Sequence, residues 1–365
     1  MRAIAYHRCL PATDPDCLVD ITLPDPVATG RDLLVRVQAV SVNPVDTKLR
    51  RAAAPAEGEA KVLGFDVAGI VDAVGPEVTR FRPGDAVMYA GDRKRPGGNA
   101  ELHLVDERLV GRKPATLDFA QAAALPLTTI TAWESLFDRL ALPHEAAGRA
   151  FGQAAGRASG QAAGRAPGQP AAAGAGTLLV TAAAGGVGSI ALQLARQLST
   201  ARIVATASRP ESRAQAERLG ADTVLDHGEA VKPLPDQLKA AGIRWVERIF
   251  SISHTDRHFA ALAQVIAPFG RLCVIDETGP IDVRLLKARS ASLHWEGMFT
   301  RSGFGLPDMA EQGRLLDAVA DLVDAGRIVS THAQTLGPIN AANLRAAHAR
   351  VESGATVGKL VLAGF

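Results

Sequence analysis

The stretch that most constrains this chain is Thr177 to Gln197, TLLVTAAAGGVGSIALQLARQ. Thr177–Thr181 is a short apolar run of strand formers, the pattern of a buried parallel strand. Ala182–Gly188 has almost no side-chain bulk. From Ser189 onward the spacing turns helical, with Ile190, Leu194 and Leu198 on one face. A small-residue turn between a buried strand and a helix start lets main-chain N–H groups approach a diphosphate, and the helix dipole favours the negative charge.

The run Ala183-Ala184-Gly185-Gly186-Val187-Gly188 matches the dinucleotide fingerprint G-x-G-x-x-G with Ala in its first slot. Alone it is also compatible with a plain close helix–strand contact. A second strand, Arg202–Ala207, follows 14 residues after Gly188 and ends in Ser208-Arg209. An NAD-binding chain carries a ribose-binding acid at that place. Here a hydroxyl and a guanidinium stand there, with Arg213 one helical turn on. Guanidinium binds phosphate through paired, charge-assisted bonds, so the sequence predicts NADP(H) over NAD(H).

The 365 residues suffice for two domains. Forty basic and 38 acidic side chains leave a net charge of +2, which gives no reason to expect nucleic acid or an anionic membrane as partner. No apolar stretch reaches the roughly 18 residues of a membrane span, and Met1–His7 reads as a strand without a signal-peptide core. Cytoplasm is the expected location. Cys9, Cys17 and Cys273 are few, odd in number and without metal-ligand spacing, which argues against a disulfide framework or a four-cysteine zinc lobe.

Residues 1–125 read as β-rich, with strands at 33–40, 67–75 and 81–89 punctuated by Gly and Pro. Asp118 is the expected N-cap of a helix, with Gln121 as capping-box partner, and Leu125-Pro126 interrupts it. Residues 143–176 carry near-copies of eight residues, GRAFGQAA, GRASGQAA and GRAPGQPA. They lack the large apolar residues that offset chain ordering and are expected to form a surface loop. Beyond the fingerprint, helices at 211–219, through 259–267 and at 308–326 alternate with strands at 222–226, 245–251 and 270–275. That is the α/β alternation of a doubly wound parallel sheet, Rossmann-type, with the cofactor at the strands' carboxyl ends. Ser251, His254, Ile275 and Asp276–Thr278 are the expected contacts there. Residues 357–362 form a last strand returning to the β-rich part.

Taken together, Ser41-Val42-Asn43-Pro44-Val45-Asp46, Gly64-Phe65-Asp66-Val67-Ala68-Gly69, Arg82-Pro83-Gly84-Asp85 and Ala184–Gly188 resemble the medium-chain dehydrogenase/reductase superfamily, in its quinone-oxidoreductase-like, zinc-alcohol-dehydrogenase-like branch. The resemblance covers essentially the whole chain. It implies a GroES-like β-barrel catalytic domain at 1–125, completed by 331–365, and a Rossmann domain at 126–330. It also implies a homodimer through edge strands near 290–300.

Zinc members of the superfamily place metal ligands at three points. Here Asn43 holds the first, Phe65-Asp66 the second, and Leu127 or Thr128 stands near the third. Catalytic zinc needs three strong protein ligands and an open position, so no metal is expected. Without a Lewis acid, reduction of a quinone or an α,β-unsaturated carbonyl by NADPH is the expected reaction. The open alternatives are a zinc-dependent alcohol dehydrogenase and a non-enzymatic NADPH-binding sensor. The candidate catalytic residues are Asn43, as amide donor, with Asp46, Thr131 and Tyr89. Lys359, in a Gly-Lys that resembles the branch's C-terminal motif, is expected at the cofactor phosphate.

Overall fold

The computed structural model describes residues 1–144, 176–228 and 232–365. The eight-residue repeats expected to form a loop lie outside them. The chain divides into two compact units, Met1–Ile130 with Met298–Phe365, and Thr131–Gly297.

The Thr131–Gly297 unit is built on six parallel strands: β9 (Thr177–Val180), β10 (Arg202–Thr206), β11 (Thr223–Leu225), β12 (Val246–Ser251), β13 (Ile266–Val274) and β14 (Ser292–Trp295). Their order is β11-β10-β9-β12-β13-β14. The chain runs outward from β9 to one edge, then restarts at β12 on the other side. A doubly wound sheet binds its ligand at such a reversal. Leu178, Leu179, Val180, Ile203, Val204, Ile249 and Phe250 are all fully buried, as strands covered on both faces require.

The connecting helices are α4 (Gly186–Leu198), α5 (Pro210–Arg218), α6 (Leu234–Ala240) and α7 (Thr255–Val265). The helix expected to reach Ala267 ends at Val265, and Ile266 already opens β13. Pro268 disfavours helical geometry at Ala267, so the chain straightens before it.

The other unit is made of both chain ends. A three-stranded sheet runs β2-β1-β4, with β1 at Arg2–Tyr6, β2 at Val19–Thr22 and β4 at Lys61–Val62. A seven-stranded sheet holds β3 (Asp32–Ser41), β5 (Val67–Val74), β6 (Ala86–Tyr89), β7 (Leu102–Asp106), β8 (Val110–Arg112), β15 (His332–Thr335) and β16 (Lys359–Ala363). The last strand comes back against the third, Val361 opposite Ser41 and Ala363 opposite Ala39. Helix α1 (Pro44–Ala52) follows β3. The Asp118 cap forms as expected: its carboxylate accepts from Gln121 N at 2.7 Å at the start of α2 (Phe119–Ala123), and α3 (Pro126–Trp133) resumes after the break.

The return to this unit begins at Met298, earlier than residue 331. Helix α8 (Ala310–Asp324) is the reason. Asp317 accepts from Arg80 Nη2 at 2.7 Å and from Arg112 N at 2.9 Å, and a Cβ built on Gly111 would stand 2.4 Å from Leu316 Cβ. Helix α9 (Ala341–Glu352) completes the unit.

The first turn of helix α4 lies so close to the turn after β9 that a Cβ on Gly188 would sit 2.6 Å from the main chain of Ala183. Gly188→Ala should therefore cost about 1–3 kcal/mol by overpacking. Urea unfolding reads this as a lowered midpoint. An unchanged midpoint would mean that helix and strand part freely.

Candidate active site

In the Thr131–Gly297 unit the fingerprint turn is pinned before it reaches the helix. Thr181 N donates to Phe250 O, and the Thr181 hydroxyl oxygen accepts from Ile252 N at 2.9 Å. Ala182 stands at φ +48, its N–H held by the Thr206 hydroxyl at 3.1 Å, while Ala183 N donates to Thr206 O. Gly185 N turns back to Ala182 O. These amides are spent on the turn itself. What the turn presents is Ala184 and the first turn of α4, Gly186, Val187 and Gly188, whose N–H groups a helix cannot pair internally. A cradle of small residues at a helix start fits the diphosphate of a dinucleotide.

Ser208 and Arg209 follow β10 and are exposed, with Arg209 capping α5 just before Pro210. No carboxylate stands between the strand and that helix. Arg213 was expected beside them as a phosphate ligand. Its guanidinium instead donates to Ala207 O at 3.2 Å and Val224 O at 3.0 Å, tying together the ends of β10 and β11. It shapes the strand ends from beneath.

Ser251 is fully buried at the end of β12, its hydroxyl 2.8 Å from that of Thr255. Thr255 N and Oγ1 both donate to Asp276, so the ends of β12 and β13 are cross-linked by a Ser–Thr–Asp chain. Thr255 was not singled out by sequence. A hydroxyl at the first position of a helix, 21 residues before an acid at a strand end, is too common a pattern to read. His254 is exposed in left-handed geometry at the cap of α7 (φ +53), a strained setting for a non-glycine residue. Ile275 is half-buried, its N–H donating to Ser251 O at 3.3 Å. Thr131 is buried in α3, the first residue of this unit.

In the other unit the three positions that resemble the zinc members' ligand positions do come together, around one carboxylate. Asp66, fully buried, accepts through Oδ2 from Ser41 Oγ (2.7 Å), Asn43 Nδ2 (2.8 Å) and Lys359 Nζ (2.9 Å), and through Oδ1 from Leu127 N (2.7 Å). Lys359 Nζ also donates to Asn43 Oδ1 and to Val42 O. The Asn43 amide is thereby oriented: oxygen toward the ammonium, nitrogen toward the carboxylate. Asp46, at the third position of α1, accepts from Asn43 N at 2.8 Å and Gly64 N at 3.1 Å, the acid half of a capping box.

Two expectations are corrected here. Lys359 was assigned to a cofactor phosphate, but it is 4% exposed and its charge is taken by Asp66. Tyr89 was a candidate pocket or relay group. It is fully buried, and its hydroxyl lies 3.0 Å from His103 Nδ1. His103 Nε2 must donate to Pro96 O at 2.9 Å, so Nδ1 accepts from Tyr89. Burial pushes the Tyr89 phenol well up and the His103 imidazole down to about 4, so both stay neutral.

Two family models match the chain: the alcohol dehydrogenase GroES-like domain over residues 29–115 and the zinc-binding dehydrogenase over residues 219–362. A zinc-type alcohol dehydrogenase-like protein of Staphylococcus aureus is 35% identical over 341 residues, 92% of each chain. The chain belongs to the zinc-type alcohol dehydrogenase-like proteins, within the medium-chain dehydrogenase/reductase superfamily. These are oxidoreductases of an NAD(P)-binding family. A solved structure from Rhizobium etli CFN 42, classed with zinc-dependent alcohol dehydrogenases, is 51% identical with a TM-score of 0.89, covering 100% of this chain and 98% of its own. The NADPH-dependent alkenal/one oxidoreductase of Arabidopsis thaliana is 31% identical over 68% of this chain and 59% of its own.

The zinc in the family's name does not fit the donors found here. Asn43 and Asp66 offer oxygens, Phe65 offers nothing, Leu127 offers an N–H, and a lysine ammonium already engages both oxygen bearers. Zinc sites are built on thiolate, imidazole and carboxylate with at least three such groups. Among the described residues no group of three or more His, Cys, Asp and Glu is placed to hold a metal ion. Among them, too, no helix is long and apolar enough to cross a membrane.

Burial pushes the Asp46 carboxyl up to about 7, against the pull of the two N–H bonds and of the Lys359 charge. A folded-state value raised above the unfolded 3.8 means that the native protein holds the proton more tightly. That contribution is present below about pH 4 and lost as pH rises through about 7. Asp46→Asn cannot ionise, so its stability relative to the native chain should improve between about pH 5 and pH 8. Urea melts at the two pH values measure it; parallel shifts would refute the assignment.

Proposed function

We propose that the chain is an NADPH-dependent oxidoreductase that transfers hydride to a quinone or an α,β-unsaturated carbonyl without a metal. The observation that carries this reading is the Lys359–Asp66–Asn43 cluster, which puts an ammonium where the zinc-ligand positions converge. The name of the Arabidopsis relative, an NADPH-dependent alkenal/one oxidoreductase, supports the choice of acceptor.

When bound, the dinucleotide supplies a hydride, which an enone takes at its β-carbon while the electron pair moves onto the carbonyl oxygen and a proton from water is added at the α-carbon. The chain's own residues hold and orient. Ala184, Gly186, Val187 and Gly188 carry the diphosphate on main-chain N–H groups, and Gly185, its own N–H turned back to Ala182, lets the phosphates approach. Ser208 and Arg209 face the 2′-phosphate, and Arg213 keeps the strand ends that present them in place. The buried Ser251 fixes the strand end from which Ile275 and His254 contact the ribose and nicotinamide side, and Thr131 is kept as the hydroxyl for the nicotinamide. In the split unit, the fully buried Asn43 gives an Nδ2 hydrogen to Asp66 and takes the Lys359 ammonium on Oδ1, so it orders the cluster. Asp46 fixes the Asn43 main chain from the first turn of α1.

A fluorescence titration should show NADPH binding at least about tenfold tighter than NADH, the value of one added charge-assisted phosphate contact. Arg209→Glu should erase that gap and leave NADH binding unchanged. With NADPH and a panel of enones, quinones and alcohols, turnover is expected on the first two and insensitive to chelators. Equal affinity for the two nucleotides, or alcohol oxidation abolished by a chelator, would overturn the proposal.

A further inference from the structure

The Lys359 side chain is a buried cation with a full set of oxygen partners. It is 4% exposed, it has three N–H donors, and three oxygens meet them: Asp66 Oδ2 at 2.9 Å, Val42 O at 3.3 Å and Asn43 Oδ1. Asp66 in turn is fully buried and takes four hydrogen bonds, three from neutral donors. Among the described residues the ammonium is therefore the formal positive charge bonded to this carboxylate. Bringing either charge out of water is costly, and the pair tolerates burial only because each group satisfies the other.

The partners come from four parts of the chain: the end of β3, the start of β5, the start of α3 and the start of β16. A cation bound by oxygens from separate segments does the work of a structural metal ion. It neutralises a buried carboxylate and holds the segments at one point.

We propose that Lys359 is the resident cation of this unit: it occupies the oxygen cluster of Asp66, Asn43 and Val42 in place of a divalent ion, supplied from the C-terminal strand. The cluster is thereby closed to metal. This rests on the metal-free reading above and adds which group replaces the metal. It also assigns the Gly-Lys of the last strand to charge compensation inside its own unit, with no nucleotide involved.

The test combines elemental analysis with a double-mutant cycle on the full-length chain. The purified protein, incubated with zinc chloride and desalted, should hold far less than one equivalent of zinc. Lys359→Met should lower the melting temperature by roughly 10 °C, because it strands the Asp66 charge. Adding Asp66→Asn to that variant removes the stranded charge and should recover at least about half of the loss. If Lys359→Met fails to fold, the double variant should still fold, and its melting temperature should exceed that of Asp66→Asn alone, in which the ammonium is stranded.

One equivalent of zinc that disappears in Asp66→Asn would overturn both this proposal and the metal-free reading. No zinc together with strictly additive melting shifts would overturn the role of Lys359 and leave the metal-free reading standing. No zinc with strong coupling supports both.

Discussion

One buried carboxylate organises the unit that contains both chain ends. Asp66 collects a hydroxyl, a side-chain amide, a main-chain N–H and an ammonium from three separate segments. No single pair of elements explains why β16 must lie beside β3 with Lys359 pointing inward. The sheet register places the strand, but the charge decides that this register and no slipped one can be buried, since a one-residue slip would turn the ammonium to the opposite face. Asn43 and Asp46 are held as a by-product. The same ammonium that answers Asp66 turns the Asn43 amide, and the Asp46 capping bond fixes the main chain it hangs from.

In the Thr131–Gly297 unit the equivalent constraint is closeness. Gly188 admits no side chain because Ala183 is already there. The first turn of α4 is thus pressed against the end of β9, and its N–H groups open where the strand order reverses. Around it, Thr181, Thr206, Arg213, Thr255 and Asp276 spend their polar groups on strand ends. The side chains after β10, Ser208 and Arg209, are exposed.

Much of this was legible in the sequence. Strand–turn–helix at 177–197, the parallel alternation after it, the Asp118 cap and the break at Leu125-Pro126 all follow from period and cap chemistry, which are local. Where the reading went astray, the cause was not local. Lys359 looked like a strand-start charge free for a phosphate, and nothing in the last strand tells that its partner stands 293 positions earlier. Arg213 had the right spacing for an anion, yet two main-chain carbonyls reached it first. Tyr89 found His103 across the barrel-like sheet. The return to the first unit came at Met298 because Asp317 and Leu316 answer Arg80, Arg112 and Gly111, a match visible only after folding. Asp66, the hub, was read only as part of what replaces a zinc ligand, since a lone acid beside an aromatic carries no mark of what it gathers.

The separation of Lys359 from Asp66 in sequence has a bearing on how the protein is made. Lys359 follows Asp66 by 293 positions, so during synthesis the carboxylate is made long before its counter-ion emerges. Until then the β-rich half has an unbalanced acid at its centre and a missing strand at its edge, while the Thr131–Gly297 segment is already complete. The order of the segments is thereby written into the topology: the inserted unit has all of its residues before the surrounding one has its counter-ion.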